Sequence, residues 1–393
     1  MNPSYAKVIH AIVSEFYPHV GGVETNTLEV YSSLVKKGWE VTIHTSKLTS
    51  QNEEILLVDE SYRGLRIKRY KTSLFGFKPN ISWGSANLIA IHGWGLCNLR
   101  HFFYSSYLKV LKRKKFMLIF TPHGGFNFEA PNSFYISNII RNIFYRVIGA
   151  PLVNYVVDGI RAVSHWEKEV LIKKRVHEGI IEVITNGIEN EAYLDLELLA
   201  SSETKNIAKN LKDYIIQIAR IDPVKNFETP IRALSKISSN VKFLIMGPVG
   251  DYNYFNRLRM LVDELNLQKR VIFLGVKNGV DKYYLIKKAK IMVHMATSES
   301  FCNSVHEGLS QGLPCVVANN TALPFLVKEG VSGYCINPND SDLLAEKINF
   351  LLQNYDTDEL KNMQNFNKKI GKENSWQKTA ERVEFFYKKL LCV

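Results

Sequence analysis

The sequence predicts an α/β fold made of two parallel-sheet domains of similar size. Short runs of β-branched apolar residues alternate with amphipathic segments, which is the pattern of βαβ units. A polar stretch over residues 195–212 interrupts this alternation near the middle of the chain. With 393 residues, the chain is also long enough for two domains that each have a core.

The first βαβ unit lies at the beginning of the chain. Residues 7–13 predict a buried parallel strand, and residues 23–37 carry apolar side chains at helical spacing before Gly38 ends the pattern. Residues 39–44 predict the next strand. The domain that contains this unit is therefore expected to have a doubly wound parallel sheet.

Further buried strands follow in both halves of the chain. They are predicted at residues 87–92, 116–121, 159–164, 181–185, 214–218, 241–246, 271–274, 291–294 and 315–318. Residues 376–391 predict a final amphipathic helix. We expect an N-terminal domain over 1–195, a C-terminal domain over 196–375, and a terminal helix over 376–393 that packs back on the N-terminal domain.

Composition excludes several classes of protein. Hydrophobic residues make up 46% and charged residues 22%, which is ordinary for a globular chain and wrong for a disordered one. The five cysteines are odd in number and form no CxxC pair, which argues against a disulfide framework and predicts a reducing compartment. No apolar run is long enough for a spanning helix, so a cytoplasmic protein is expected.

The net charge of +12 is concentrated in one part of the chain. Between Ser61 and Val157 there are fourteen Lys and Arg but a single acid, Glu129. Such a segment favours an anionic neighbour, which can be a membrane surface, a nucleic acid or a phosphorylated substrate. The alternative interpretation is a solvated basic face.

Arg220 and Lys225 follow the strand predicted at 214–218 and precede a helix that Asn226 is expected to cap. Two cations beside a helix N-terminus, at the carboxyl end of a strand, are typical of a diphosphate site. Isolated surface cations in a loop are common, so this pattern gains weight only if an acidic site faces it.

Glu299 and Glu307 supply that acidic site. Glu299 follows the strand predicted at 291–294, where open parallel sheets bind ligands, and the backbone at 301–304 opens the next helix, where N–H groups can hold a phosphate. Glu307 is expected in the first helical turn, where its carboxylate can accept from two ribose hydroxyls. The alternative for Glu307 is a capping box with Ser304.

Two features of the first half complete the candidate site. Gly21 and Gly22 open the first predicted helix, where a backbone without side chains can approach a ligand closely. They are not a GxGxxG fingerprint, so a nicotinamide cofactor is disfavoured. His123 follows another strand end and precedes two glycines, which predicts an exposed ring in contact with substrate; His92 has similar placement and is expected behind it.

These segments together resemble the retaining glycosyltransferases of family 4, the group-1 glycosyl transferases. The resemblance rests on Tyr-Pro-His-Val-Gly-Gly-Val-Glu at 17–24, Val-Ile-Thr-Asn-Gly-Ile at 183–188 and two glutamates separated by seven residues at 299 and 307. It covers almost the whole chain. It implies the GT-B fold, in which two Rossmann-like doubly wound domains face a central cleft. Cys302 departs from the usual pattern, since glycine is commonest there.

The resemblance also implies the chemistry. A nucleotide-sugar donor, UDP- or GDP-linked, would be held mainly by the second domain, and a glycan or lipid-linked hydroxyl acceptor by the first. The reaction would retain the anomeric configuration and need no metal or other cofactor. The implied donor-binding residues are Gly21, Gly22, Arg220, Lys225, Phe301, Cys302, Asn303 and Glu307, and the implied catalytic residues are His123 and Glu299. With the basic segment, this predicts a peripheral enzyme on the cytoplasmic face of an anionic membrane and no nucleic-acid partner.

Other functions remain open at the level of sequence. A nucleotide-sugar 2-epimerase on the same fold would lack an acceptor site. A non-enzymatic basic module for nucleic acid or other anions would have no need of Glu299 and Glu307. The two predict different behaviour: an epimerase reacts with donor alone, and a basic module shows salt-dependent binding.

Overall fold

The computed structural model describes residues 7–18, 21–47, 58–72, 77–81, 86–93, 96–112, 115–125 and 143–392, which divide into two units. The first unit comprises Met1–Gly187 together with Trp376–Val393, and the second comprises Ile188–Ser375. Within the described ranges, no helix has both the length and the apolar character needed to cross a bilayer.

The first unit is built on a sheet whose described strands are β1 (Val8–Ile12), β2 (Glu40–Ser46), β3 (Asp59–Tyr62), β4 (Leu65–Tyr70), β5 (Leu88–His92), β6 (Met117–Thr121), β7 (Gly159–Ala162) and β8 (Ile181–Val183). Their order is β3-β4-β2-β1-β5-β6-β7-β8, and every neighbouring pair except β3–β4 is parallel. All five residues of β5 are buried, as expected for a strand covered on both faces.

The helices of this unit begin with α1 (Gly22–Lys36), α2 (Leu96–Val110), α3 (Ala150–Val156) and α4 (His165–Lys173). A π-helical turn at Tyr145–Gly149 leads into α3. Helix α1 buries Val30, Tyr31 and Leu34 against the sheet, which is the apolar spacing that the sequence predicted.

The second unit has an all-parallel sheet of β9 (Tyr214–Ile218), β10 (Lys242–Met246), β11 (Val271–Gly275), β12 (Ile291–His294), β13 (Cys315–Ala318) and β14 (Gly333–Ile336), in the order β11-β10-β9-β12-β13-β14. Its helices are α5 (Leu196–Leu199), α6 (Ser202–Leu211), α7 (Glu228–Ser235), α8 (Tyr252–Glu264), α9 (Gly279–Lys288), α10 (Asn303–Ser310), α11 (Leu323–Leu326), α12 (Ser341–Gln353) and α13 (Asp358–Glu373). The predicted class, α/β with two parallel-sheet domains, is confirmed.

The terminal helix α14 (Trp376–Leu391) belongs to the first unit, although it follows the second along the chain. It buries Trp376, Val383 and Tyr387 in the same core as α1. Gly159 makes this packing possible, because a Cβ there would lie 2.6 Å from a side-chain carbon of Leu390.

The register of the sheets decides which loops meet. In the second unit, Ile291 pairs with Ile215 on the neighbouring strand, so β9 and β12 end at the same level. In the first unit, His92 pairs with Thr121, so the loops after β5 and β6 leave the same edge. Each pair of loops therefore brings distant parts of the sequence together at the carboxyl ends of adjacent strands.

The units separate after Gly187, which is earlier than the predicted boundary after residue 195. The reason is packing: Ile188 and Ala192 are buried in the same apolar cluster as Tyr214 and Met246 of the second sheet. The polar residues of the stretch at 195–212 lie mostly on the exposed faces of α5 and α6, so the stretch is part of the second unit and is not a linker.

The first sheet also contains two strands that the sequence did not predict. In strand β4, buried Leu65 and Ile67 alternate with charged residues. Because the segment contains so many charges, its short apolar alternation was not recognised as a strand. Their partners lie just outside the basic stretch: Arg66 pairs with Asp59 at 2.8 Å and Arg69 with Glu60 at 2.5 Å.

Two further cations of the basic stretch are paired in the same way. Arg63 bonds the Glu29 carboxylate, and Lys109 lies 2.5 Å from Asp158. All four of these acids lie outside the range Ser61–Val157. The net charge counted within that range therefore overstates the positive charge that has no acidic partner.

Several histidines of the first unit are buried or partly buried, and cations lie near them. Burial and nearby cations or histidines lower the pKa of His10 and His101 to about 4 and that of His44 and His92 to about 3. In the second unit the pKa of His306 is lowered to about 4, but that of His294 is raised to about 9.

We expect the first unit to lose stability when the pH falls below 6.5. A histidine whose folded pKa lies below its unfolded value binds protons preferentially when unfolded, so each removes about 1.4 kcal/mol per pH unit until its folded pKa is reached. In the second unit only His306 adds to this loss among the histidines named, because the raised pKa of His294 changes stability above pH 6.5 and not below it. In the first unit the carboxyl of Glu167, whose pKa is raised to about 7, has the opposite sign and offsets one of the histidines. Hydrogen exchange followed by mass spectrometry should show that the protection factors of β1 and β2 fall between pH 7 and pH 5 by more than those of β9 and β12. An equal fall of the protection factors in both units would contradict this.

Candidate functional site

The predicted site residues lie in two groups, one in each unit. In the second unit, Lys225 and Glu299 come from the loops after β9 and β12 and form a direct ion pair, with Lys225 Nζ 2.7 Å from Glu299 Oε1. His294, the last residue of β12, places Nε2 at 2.7 Å from the same oxygen. The sequence predicted that these loops would meet, but it assigned Glu299 no structural partner.

Burial makes this group electrostatically strong. The side chains of Lys225, Glu299 and His294 are 20%, 13% and 1% exposed. Burial alone would raise the pKa of Glu299, but Lys225 and His294 lower it to about 2. Burial would lower the pKa of His294, but Cys302 and Glu299 raise it to about 9. The carboxylate is therefore ionised and the imidazole protonated at neutral pH.

Arg220 has a different setting. Its side chain is 61% exposed and only Nε is anchored, at 2.7 Å from Asp222 Oδ2. Gly250 leaves room for it, since a Cβ there would lie 2.7 Å from two of its side-chain carbons. Its two terminal nitrogens have no hydrogen bond to any described residue. They form a pre-oriented fork of the kind that binds phosphate oxygens.

The turn over Phe301, Cys302 and Asn303 leads into α10. Cys302 has φ +78°, in the left-handed region that favours glycine, and it is the N-cap of the helix. Its side chain makes no capping bond, so it does not compete with an anionic ligand for the amides of the first turn. Phe301 and Cys302 are both buried.

The capping box with Ser304, which was the alternative for Glu307, is wrong, and so is the placement of Glu307 in the first helical turn. Helix α10 begins at Asn303, so Ser304 is a helical residue and its hydroxyl lies 3.5 Å from the Cys302 thiol. Glu307 accordingly lies beyond the first turn and pairs with Lys282 of α9, whose Nζ is 3.0 Å from Oε1. The same ammonium lies 2.7 Å from Glu189 Oε2. Neither Lys282 nor Glu189 was singled out in the sequence.

One trio of the described residues has the donor types of a metal site. A ring nitrogen of His294, a carboxylate oxygen of Glu299 and the thiol sulfur of Cys302 lie within 4.8 Å of one another. The Lys225 ammonium already occupies Glu299 Oε1. A divalent cation would have to displace that charge, so the trio fits an internally neutralised cluster better than a metal centre.

In the first unit, His123 and the paired glycines occupy separate strand-end loops. Gly21 is the N-cap of α1, with extended backbone and no side-chain capping bond, and Gly22 is the first helical residue. His123 has φ +52° and is partly buried rather than exposed as predicted. Its Nε2 lies 3.0 Å from His92 Nδ1, and the two rings stack with centroids 5.3 Å apart.

His92 continues this chain into the core. Its Nε2 lies 2.7 Å from the Tyr31 hydroxyl, which in turn lies 3.2 Å from the Tyr387 hydroxyl of α14. Burial lowers the pKa of both histidines, that of His123 well below its usual value. His123 is therefore neutral at physiological pH and suited to hydrogen bonding rather than to carrying charge.

Glu167 fixes the turn that carries His123. One carboxylate oxygen accepts from the Gly124 amide and the other from the Val163 amide at 2.7 Å. Burial raises the pKa of this carboxyl to about 7. The sequence signal was present, because Ser164 and Glu167 have the spacing of a capping box and the Ser164 hydroxyl does accept from the Glu167 amide at 3.1 Å.

Comparison with known proteins identifies the family. A profile described as "Glycosyltransferase Family 4" matches residues 20–192, and one described as "Glycosyl transferases group 1" matches residues 201–383. The chain belongs to the family 4, group 1 glycosyltransferases of the GT-B fold. The predicted family is thus confirmed.

Individual relatives in this family are distant. N-acetyl-alpha-D-glucosaminyl L-malate synthase of Bacillus anthracis is 23% identical, over 86% of this chain and 86% of its own. An Escherichia coli enzyme, UDP-Gal:alpha-D-GlcNAc-diphosphoundecaprenol alpha-1,3-galactosyltransferase, is 24% identical over 60% of this chain and 66% of its own. Among solved structures, Anabaena HepE in complex with UDP superposes with a TM-score of 0.75 at 17% identity, covering 98% and 100% of the two chains.

We expect Lys225 and Glu299 to be strongly coupled in stability. Lys225→Met or Glu299→Gln alone should each lower the free energy of unfolding by about 3 kcal/mol, because the partner is left as a buried charge. The double variant should lose much less than the sum of the two. Urea unfolding of the four chains measures this coupling, and additive losses would show that the pair is not energetically linked.

Proposed function

We propose that this glycosyltransferase transfers a sugar, with retention of configuration and without a metal, from a nucleoside-diphosphate sugar to a hydroxyl of a glycan or lipid-linked acceptor. The observation that carries the proposal is the arrangement at the ends of β9 and β12. There the Arg220 fork, the ionised Lys225–Glu299 pair and the start of α10 lie on loops from adjacent strands. UDP or GDP is the expected nucleotide, and HepE has been solved with UDP.

Each group has a role in the proposed reaction. The bond between the anomeric carbon and the phosphate oxygen breaks, and the electron pair remains on the diphosphate. Arg220, Lys225 and the first amides of α10 stabilise that developing charge. The acceptor oxygen forms the new bond on the same face, and its proton passes to the departing phosphate oxygen. This path uses no separate carboxylate nucleophile.

Glu299 and His123 act on the sugar in this proposal. Lys225 and His294 occupy Oε1 of Glu299, and Oε2 has no partner among the described residues, so an ionised acceptor atom is available for a sugar hydroxyl. The neutral His123 ring offers its Nδ1 for a second hydrogen bond. Gly21 and Gly22 allow the backbone before α1 to approach the donor closely.

Replacing Arg220 tests the proposed diphosphate site. Arg220→Ala should weaken UDP or GDP binding by roughly 30-fold, about 2 kcal/mol, because two charge-assisted hydrogen bonds are lost. Arg232→Ala, which removes an exposed arginine of α7, is the matched control and should bind like the wild type. Calorimetry gives both affinities, and equal binding by the two variants would contradict the assignment.

The activity itself is tested with UDP- and GDP-sugars and an acceptor panel that includes undecaprenyl-diphosphate glycans, the acceptor type named for the Escherichia coli relative. Turnover should persist in EDTA, and NMR of the product should show the anomeric configuration of the donor. Inversion of configuration would overturn the proposed mechanism. Conversion of donor without acceptor would favour an epimerase.

We further propose that the enzyme works at an anionic membrane surface on its cytoplasmic face. Helix α2 exposes Phe103, Tyr104 and Tyr107 beside the exposed Arg100. Apolar side chains with a basic rim are typical of an interfacial surface. The basic stretch also contains an aromatic and aliphatic segment at 134–148, most of which lies outside the described residues. Of its described part, Ile143, Val147 and Ile148 are exposed and Tyr145 is buried.

Co-sedimentation with vesicles tests this surface. Binding to anionic but not neutral vesicles is expected, and it should weaken with salt and when Lys112–Lys115 are neutralised. Phe103→Ser with Tyr107→Ser should also reduce it, whereas Tyr252→Ser, which removes a more exposed aromatic of the second unit, should not. Equal indifference to both vesicle types would contradict membrane association.

A further inference from the structure

Lys282 of α9 forms the centre of a largely buried ion cluster. Its side chain is 12% exposed, and its one ammonium serves two carboxylates, Glu189 and Glu307, whose side chains are 26% and 13% exposed. The ammonium also lies 4.6 Å from the centroid of the Tyr283 ring. The cluster therefore holds two acids against one cation in a place with little water.

The ionisation of the Glu307 carboxyl depends on how the Lys282 ammonium is shared between Glu189 and Glu307. Burial and Glu189 raise the pKa of Glu307, and Lys282 opposes both. Burial alone would lower the pKa of Lys282, but the two carboxylates raise it, so the ammonium stays charged. Tyr283, whose pKa burial raises well above its usual value, remains a neutral phenol. Of the charged groups named, Lys282 alone favours the ionised form of Glu307.

We propose that Lys282 is the positioning residue of the donor-ribose site, where it holds the Glu307 carboxylate in place and charged, and that Glu189 tunes this by competing for the same ammonium. This inference rests on the proposed function, in which Glu307 binds the ribose of the donor. Lys282 reaches across from α9 to α10, so it fixes the carboxylate relative to the turn at 301–303 that precedes it. Lys282 itself acts through Glu307.

The charge of the Glu307 carboxyl matters because a ribose presents two hydroxyl donors to it. Two neighbouring hydroxyls donate two hydrogen bonds, and an ionised carboxylate accepts both. A protonated carboxyl keeps one good acceptor and adds a donor. With Oε1 already held by Lys282, protonation would fall on Oε2, the oxygen that remains for the ribose. Loss of Lys282 should therefore weaken nucleotide binding most at low pH.

Calorimetric titration of the full chain with UDP and GDP, from pH 6.0 to 8.5, tests this. Lys282→Met should bind about tenfold more weakly at pH 6.0 than at pH 8.5, while the wild type changes less over the same range. Lys282→Arg keeps the charge and should restore the wild-type profile. Lys288→Met is the matched control, because Lys288 lies on the same helix but pairs with Glu197 at 2.7 Å, and it should behave like the wild type.

Glu189→Gln provides a test in the opposite direction. It removes the competing carboxylate but leaves the Lys282–Glu307 contact, so its nucleotide binding should depend less on pH than that of the wild type. The Glu307 carboxyl, followed by carbon NMR without nucleotide, should titrate higher in Lys282→Met and lower in Glu189→Gln. This readout also applies if one variant is less stable.

The outcomes separate the two proposals. If the wild type binds UDP or GDP and Lys282→Met has the same pH profile, the role of Lys282 is refuted and the proposed function stands. If the wild type binds neither nucleotide, the proposed function fails and this inference fails with it. A Glu189→Gln variant with a steeper pH dependence than the wild type would likewise refute the tuning role of Glu189.

Discussion

The Glu299 carboxylate organises the candidate donor site of the second unit. It accepts from Lys225 and His294 at the same oxygen, and all three side chains are largely removed from water. None of these charges is stable there alone, because desolvation of an unpaired ion costs several kcal/mol. The group therefore forms as a whole and ties the loop after β9 to the loop after β12. The position of the Cys302 turn and the start of α10 follows from that connection.

The two groups of candidate site residues hold their buried polar side chains in different ways. In the second unit, lysines hold Glu299 and Glu307 within ion clusters, and Arg220 remains as the exposed cation. In the first unit, a chain of neutral hydrogen bonds runs from Tyr387 through Tyr31 and His92 to His123. The first arrangement suits a site that meets a charged diphosphate. The second suits a site that positions a sugar without placing charge on it.

The sequence predicted the fold where apolar periodicity was clean. Strand β9 and helix α14 have the predicted limits, because β9 is an unbroken run of buried apolar residues and the buried residues of α14 follow one helical period. Strand β4 was missed because its exposed positions carry charges, and those charges were instead counted toward a free basic field. The pairs with Asp59 and Glu60 show that part of this field is neutralised within the sheet.

The candidate site was predictable as a set of strand ends but not as a set of partners. Parallel topology places Lys225 and Glu299 at one edge, although 74 residues separate them. Which side chains then bond depends on rotamers and on small offsets of the loops, and no sequence period records these. Lys282 shows this limit, since it is one of several lysines on α9. Glu307 is the opposite case, because its spacing from Ser304 suggested a local capping box, whereas in the structure it forms an ion pair with Lys282 of another helix.

The protonation state of His294 tests the account most directly. Nitrogen NMR of histidine-labelled protein, with the His294 signal assigned by its loss in His294→Gln, follows this ring between pH 6.5 and 9.5. We expect an imidazolium that stays protonated at pH 7.5 and titrates near the pKa of about 9 that its neighbours give it. A His294 ring that is neutral at pH 7.5 would contradict the protonated imidazole, and with it the role of the His294 charge in keeping Glu299 ionised beside the proposed donor site.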